Sequence, residues 1–229
     1  MKLVCTSDLH GNLDQLDFGN CDIVIIAGDF SKTFGFKKWH IYEQMKWIKK
    51  KFIPFLSSYP NTKFVVIPGN HDLCFDLNRT FVWQDLNWTI HWPENVSFLL
   101  DSYVEVNGFK IYGTPWVPII SYNWAFEGNH DVLVEKFNKI PENLDILVTH
   151  SPPRILDYKL DYSEQTNRGP FGSSELAQVI FEKKPKYVFC GHIHSGNHNL
   201  VEFEGSKIYN VSRLDENYEI AYEPTILEI

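Results

Sequence analysis

Cysteine is scarce in this chain. Four occur in 229 residues, at Cys5, Cys21, Cys74 and Cys190, and no two have the Cys-x-x-Cys spacing. A disulfide scaffold and a zinc ribbon are therefore excluded. Three of the four lie in or beside apolar runs, where a thiol behaves as a small hydrophobe. Basic charge is also short: 21 Lys and Arg stand against 29 Asp and Glu, a net charge of −8. So acidic a chain lacks the basic footprint that grips duplex nucleic acid, and no duplex partner is expected. A small phosphorylated ligand stays open, because bound cations can supply positive charge locally. No apolar run approaches the ~20 residues that cross a bilayer, and the N-terminus carries no signal-peptide pattern. The expected setting is reducing and cytoplasmic, with no membrane partner. Repeats, low-complexity segments and linkers are also missing, so residues 1–229 are expected to form a single domain.

What is present is an alternation of buried strands and helices. Residues 3–6, 23–27, 64–67, 146–148 and 187–190 are continuous apolar runs, as strands covered on both faces require. Shorter strand patterns cover 96–100, 103–106, 110–112, 207–211 and 225–229, and Asn107-Gly108 marks a two-residue hairpin. Ile41, Met45, Ile48, Phe52 and Phe55 recur at three- and four-residue steps, which predicts one amphipathic helix over 38–55. Further helices are predicted over 131–140 and 174–184. Residues 14–18 read as a short helix or a connection, and 76–92, with Trp83, Trp88 and Trp92, as a short helix plus loop. The 17 Phe, 11 Tyr and 7 Trp leave aromatics to spare for lining a pocket.

Each of the five long runs ends in polar residues. In order these are Asp8-Leu9-His10-Gly11-Asn12, Gly28-Asp29, Gly69-Asn70-His71-Asp72, Thr149-His150 and Gly191-His192-Ile193-His194. Any one of these blocks alone is an ordinary loop. Together they hold five of the nine histidines, at the strand ends where open α/β sheets bind ligands. Imidazole and oxygen donors without thiolate suit divalent cations such as Mn, Fe or Zn. So many such groups exceed one cation's needs but suit two ions ~3.5–4 Å apart that share a carboxylate.

The five blocks, in this order and spread over residues 7–195, resemble the signature of the calcineurin-like metallophosphoesterase family. That resemblance implies a four-layer α/β/β/α sandwich with two mixed sheets. It also implies two divalent metal ions, Mn first and Fe or Zn as alternatives. Carried over by position, Asp8, His10 and His194 hold the first metal; Asn70, His150 and His192 hold the second; Asp29 bridges them. A metal-bridged hydroxide then attacks phosphorus, while His71 protonates the leaving oxygen and Asp72 orients His71. The stretches Gly113-Thr114-Pro115-Trp116, Trp124-Ala125-Phe126, Thr149-His150-Ser151-Pro152-Pro153 and Asn210-Val211-Ser212 are similar to those of small metallophosphoesterase-domain proteins. This likeness implies small, nucleotide-like phosphodiester substrates, cyclic nucleotides included. Both His192 and His194 are present, which favours a working enzyme over a nucleotide-binding scaffold. A phosphomonoesterase or pyrophosphatase on the same site stays open. Asn12, Trp116 and Arg168 are the expected substrate contacts, with Arg168 ahead of Arg154 and Arg213 for phosphate.

Overall fold

The computed structural model describes residues 1–76, 89–164 and 166–229. The helix and loop expected over 76–92, with Trp83 and Trp88, fall largely outside the described residues. The chain opens with β1 (Lys2–Thr6), β2 (Ile23–Ala27), α1 (Lys38–Trp47), α2 (Ile53–Ser57), β3 (Lys63–Ile67) and β4 (Val96–Phe98). It continues with β5 (Ser102–Val106), β6 (Phe109–Thr114), β7 (Val117–Pro118), β8 (Glu127–Gly128), α3 (His130–Asn138) and β9 (Ile146–Thr149). Then come α4 (Ser174–Lys183), β10 (Tyr187–Cys190), β11 (Val201–Phe203), β12 (Ser206–Asn210) and β13 (Thr225–Glu228). Residues 14–18 form a connection, with Leu16 and Phe18 buried.

The strands assemble into two mixed sheets. In the first, ordered β13-β1-β2-β3-β4, only β13 is antiparallel to its neighbour. In the second, ordered β11-β12-β10-β9-β6-β5, four parallel strands are flanked by antiparallel β11 and β5. Side-chain alternation decides what each face meets. Leu3, Cys5, Ile25 and Val65 of the first sheet pack against Ile111, Ile146, Val148 and Phe189 of the second. On the first sheet's other face, Val24, Ile26 and Phe64 meet Ile41, Met45 and Phe52 of the helical segment. On the second sheet's other face, Leu147 and Val188 meet Leu133 and Phe137 of α3 and Leu176 and Ile180 of α4. Three apolar interlayers separate four layers, so the fold is the α/β/β/α sandwich that the resemblance implies.

Two local features follow from particular residues. Asn107 and Gly108 turn the β5–β6 hairpin with φ of 51° and 84°, left-handed values that Asn and Gly tolerate best. The helix predicted over 38–55 is interrupted by a wide π turn at Ile48–Phe52 before α2. Pro54 in the first turn of α2 accounts for it, because proline lacks an N–H and clashes with the carbonyl four residues back. The wide turn delays the apolar stripe by one residue. Leu56 is consequently the fully buried side chain, and Phe55, the expected one, is only half-buried.

Candidate metal centre

The five polar blocks meet at one edge of the stacked sheets. β1, β2 and β3 run parallel in the first sheet, as do β9 and β10 in the second. The chain crosses between the sheets here. Ser7 N–H donates to Val211 O (2.8 Å), and Arg213 N–H donates to Ser7 O (3.1 Å). His10 thus lies against His194, 184 residues away.

Past the strand ends the backbone bends sharply. Asp8, His10, Asp29 and His192 have φ of 54°, 44°, 52° and 71°, in the left-handed region that side chains disfavour. Such strain clusters at functional sites and needs support from its surroundings. Two glycines leave room for it. A Cβ on Gly191 would overlap the Asp8 carboxylate, and one on Gly28 (φ 95°) would overlap the His150 ring.

The side chains converge on a small hole. His10 Nε2 lies 3.1 Å from His194 Nε2, which lies 3.3 Å from Asp8 Oδ1. His150 Nε2 lies 3.2 Å from Asp29 Oδ2 and 2.9 Å from Asn70 Oδ1. The His192 ring centre is 5.1 Å from that of His150, and its backbone N–H donates to Asp8 Oδ2 (3.0 Å). Two second nitrogens are tied to main-chain carbonyls: His150 Nδ1 to Ala27 O (2.9 Å) and His194 Nδ1 to Asp215 O (2.8 Å). Such ties fix a ring with Nε2 facing a metal. Ligand atoms lie within 4.8 Å of one another in three groups: Asp8, His10 and His194; Asp8, Asp29 and His150; and His10, Asp29 and His71. Asp8, His10 and Asp29 each belong to two groups, as shared ligands would. Nitrogen and oxygen donors packed this closely fit a pair of divalent cations.

Proton affinities split the imidazoles into two kinds. Burial pulls His150 and His194 down, but the Asp29 and Asp8 carboxylates beside them push both up to about 9. His10 and His192 fall to about 3, chiefly by burial. Burial also works against the ionised forms of Asp8 and Asp29, yet the surrounding imidazoles hold both below the usual carboxylate range.

His71 stands at the mouth of this hole, its backbone N–H donating to Asp29 Oδ1 (2.7 Å). Its Nδ1 lies 3.2 Å from the Thr33 hydroxyl, and its carbonyl accepts from Gln44 Nε2 (2.8 Å). The expectation that Asp72 orients His71 is corrected. The Asp72 carboxylate accepts from Ser31 N–H (2.9 Å), Gly69 N–H (2.8 Å) and the Ser31 hydroxyl, stapling the loop instead. Burial first, with the Asp29 charge, pushes Asp72 up to about 7.

Of the expected substrate contacts, Asn12 lines a cleft beside the hole. Trp116 does not. Its indole N–H donates to Asp101 Oδ2 (2.9 Å), and Lys136 Nζ covers its ring at 4.4 Å, so it is packing. Arg168 is exposed; from its loop Ser163, Thr166 and Phe171 instead line a second cleft on the site. Arg213 is buried and donates to the carbonyls of Asn12 (3.5 Å) and Asp14 (2.9 Å), and Arg154 Nε faces Asp161 at 3.7 Å. Two aromatic side chains wall the site, and of these sequence reasoning left only Tyr218 unassigned. Trp124 stacks on His71 with centroids 4.0 Å apart, and Tyr218 stands edge-on to His10 (4.7 Å) and His194 (5.5 Å). Trp124 lies in one of the matching stretches noted above. Tyr218 had only the turn chemistry of Asp215 and Asn217 to signal it.

A four-layer sandwich gathering carboxylate, amide and imidazole donors at one sheet edge is the architecture of the metallophosphoesterase class. The chain belongs to the calcineurin-like phosphoesterase family, whose description matches residues 1–196. It is 32% identical over 250 residues to metallophosphoesterase domain-containing protein 1 of Homo sapiens, covering 100% of this chain and 71% of that protein. A UPF0046 protein of Caenorhabditis elegans is 30% identical over 259 residues, covering 100% and 60% respectively. One solved crystal structure shares the fold with a TM-score of 0.65 at 15% identity, over 99% of this chain and 98% of that one. No helix among the described residues is long and apolar enough to cross a membrane.

Proposed function

We propose that this protein hydrolyses small phosphodiesters, nucleotide-like ones and cyclic nucleotides among them, with the aid of two divalent cations. The observation that carries this reading is the meeting of Asp8, Asp29, Asn70 and the histidines of three strand ends in one hole. Asp8, His10 and His194 would hold one cation and Asn70, His150 and His192 the other, with Asp29 shared. Manganese is the first candidate, since oxygen and imidazole donors without thiolate accommodate it; iron and zinc follow. The ion pair supplies Lewis acidity toward phosphoryl oxygens and an activated water at neutral pH.

The chain's own residues do the rest. Thr33 at Nδ1 leaves His71 Nε2 to meet the leaving oxygen and give it a proton. Burial lowers the His71 pKa, and an arriving phosphate anion favours the imidazolium that must act. Trp124, stacked on His71, limits its ring motion and shelters it from water. Four buried free thiols support a reducing, cytoplasmic setting for this chemistry.

The deciding experiment compares manganese-loaded wild type with His71→Ala on bis(p-nitrophenyl) phosphate, p-nitrophenyl phosphate and cyclic nucleotides. Wild type is expected to cleave diesters faster than monoesters. The variant is expected to retain its metal but lose about 10²–10⁴-fold in kcat on cyclic nucleotides, whose alkoxide leaving groups need a proton, and far less on the p-nitrophenyl esters. Full activity of the variant on cyclic nucleotides would remove His71 from the reaction, and a wild-type monoester preference would overturn the diester assignment.

A further inference from the structure

Two clefts border the His71 ring. The first, about 310 Å³, runs from Asn70 and His192 out to Ile120, Phe171 and Glu216. The second, about 420 Å³, is bounded by His10, Asn12, Lys32 and Thr33. His71, Trp124 and Tyr218 line both, so the clefts share a wall at the metal centre. Tyr218 is held in that wall by its own turn. Asp215 Oδ1 accepts from Asn217 N–H (2.8 Å) and Glu219 N–H (3.0 Å), while Asp215 O accepts from the candidate ligand His194.

The clefts differ in chemistry. Beyond the candidate ligands, the first presents Ile120 and Phe171, 50% and 42% exposed, together with Glu216. The Ser163 and Ser195 hydroxyls donate to Glu216 Oε1, which fixes that carboxylate. In the second, Lys32 is the only lysine or arginine among the described residues lining either cleft. An anionic group is therefore repelled on the Glu216 side and attracted on the Lys32 side.

We propose that the two clefts take the two arms of a mixed phosphodiester: an uncharged, planar or apolar arm beside Ile120 and Phe171, and an anionic arm beside Lys32. Tyr218 is the specificity-determining wall between them. This deepens the phosphodiesterase reading and rests on it. Phosphorus in a diester carries two substituents, and two clefts meeting at one centre match that; a monoester leaves one cleft without a function. In hydrolysis a P–O bond to water forms as the bond to one arm breaks. The departing oxygen takes a proton, so diester and water become monoester and alcohol.

The test uses the manganese-loaded 229-residue chain and p-nitrophenyl diesters that differ only in the second arm, carboxyethyl against choline. Wild type is expected to favour the carboxyethyl ester about tenfold in kcat/KM, mainly through KM, as one favourable and one unfavourable charge contact predict. Lys32→Met should erase that preference at unchanged metal content. Tyr218→Ala should lower the discrimination between bis(p-nitrophenyl) phosphate and p-nitrophenyl phosphate about tenfold, whereas Tyr218→Phe keeps it. Equal rates for the two mixed esters in wild type, with bis(p-nitrophenyl) phosphate still cleaved, overturn the arm assignment and leave the phosphodiesterase reading standing. Failure of the manganese-loaded protein to cleave any diester overturns that reading, and the arm assignment falls with it.

Discussion

The interlayer between the sheets and the edge where the same strands end are equally buried and chemically opposite. Cys5, Ile25, Val148 and Phe189 are fully buried and apolar. A few residues further along the same strands, Asp8, Asp29 and His150 are also at most 1% exposed, yet carry ionisable groups. Asp8, Asp29 and His192 additionally sit at positive φ. Burial stabilises the first region at ~25 cal/mol per Å² of apolar surface, whereas it opposes charge in the second. The difference teaches that the edge is held in place by the layers behind it. Its own residues would relax if released.

Replacing Asp29 strikes the edge hardest. Asp29→Ala is expected to abolish manganese retention and reduce hydrolysis about a thousandfold or more, the loss of several kcal/mol of charge stabilisation. Metal analysis and single-turnover assays check it, and retained metal would deny Asp29 its shared role. Phe189→Ala attacks the interlayer instead. It should cost about 3–5 kcal/mol in urea unfolding while the rate per folded, manganese-loaded molecule is unchanged. A rate that fell with stability would erase the contrast between body and edge.

Finer probes sharpen the comparison. Thr33→Val should lower kcat about tenfold, roughly one hydrogen bond, for diesters with alkoxide leaving groups. The effect should shrink for p-nitrophenolate, which needs no proton, and Thr33→Ser should restore the rate. Equal losses on both leaving groups would make Thr33 merely structural. The smallest effect is expected at the far helical layer, where Glu175 accepts from His130 Nδ1 across 2.7 Å between α3 and α4 and raises its pKa. A pKa raised on folding stabilises fully below the unfolded value of about 6.5, and that contribution is lost as pH rises through the folded value. The Tm gap between wild type and His130→Ala should therefore be small in acid and close as pH rises; a gap that widens reverses the sign.

Much of this contrast is legible in the sequence because parallel strands covered on both faces allow no polar interruption. Residues 23–27 and 187–190 therefore announce themselves, and so does the sudden Asp29 or His192 beyond them. The π turn at Ile48–Phe52 is not legible, because three- and four-residue steps describe an α-helix and its widened form equally well until Pro54 is placed sterically. Asp72 was misread for a related reason. Adjacent side chains in a loop point where the turn sends them, and the Asp72 N–H bond to Gly69 O closes a turn that brings its carboxylate to Gly69 and Ser31.

The order of donor types and the strands that carry them are properties of the chain itself, since apolar runs and the polar ends they require are written residue by residue. Which groups touch was decided only by the stacking of two sheets. That stacking brings His10 to His194 and His150 to Asn70, and sets Tyr218 between two clefts. The physical reason is range: patterning acts over neighbouring residues, whereas these contacts join loops whose proximity exists only once the three apolar interlayers have closed.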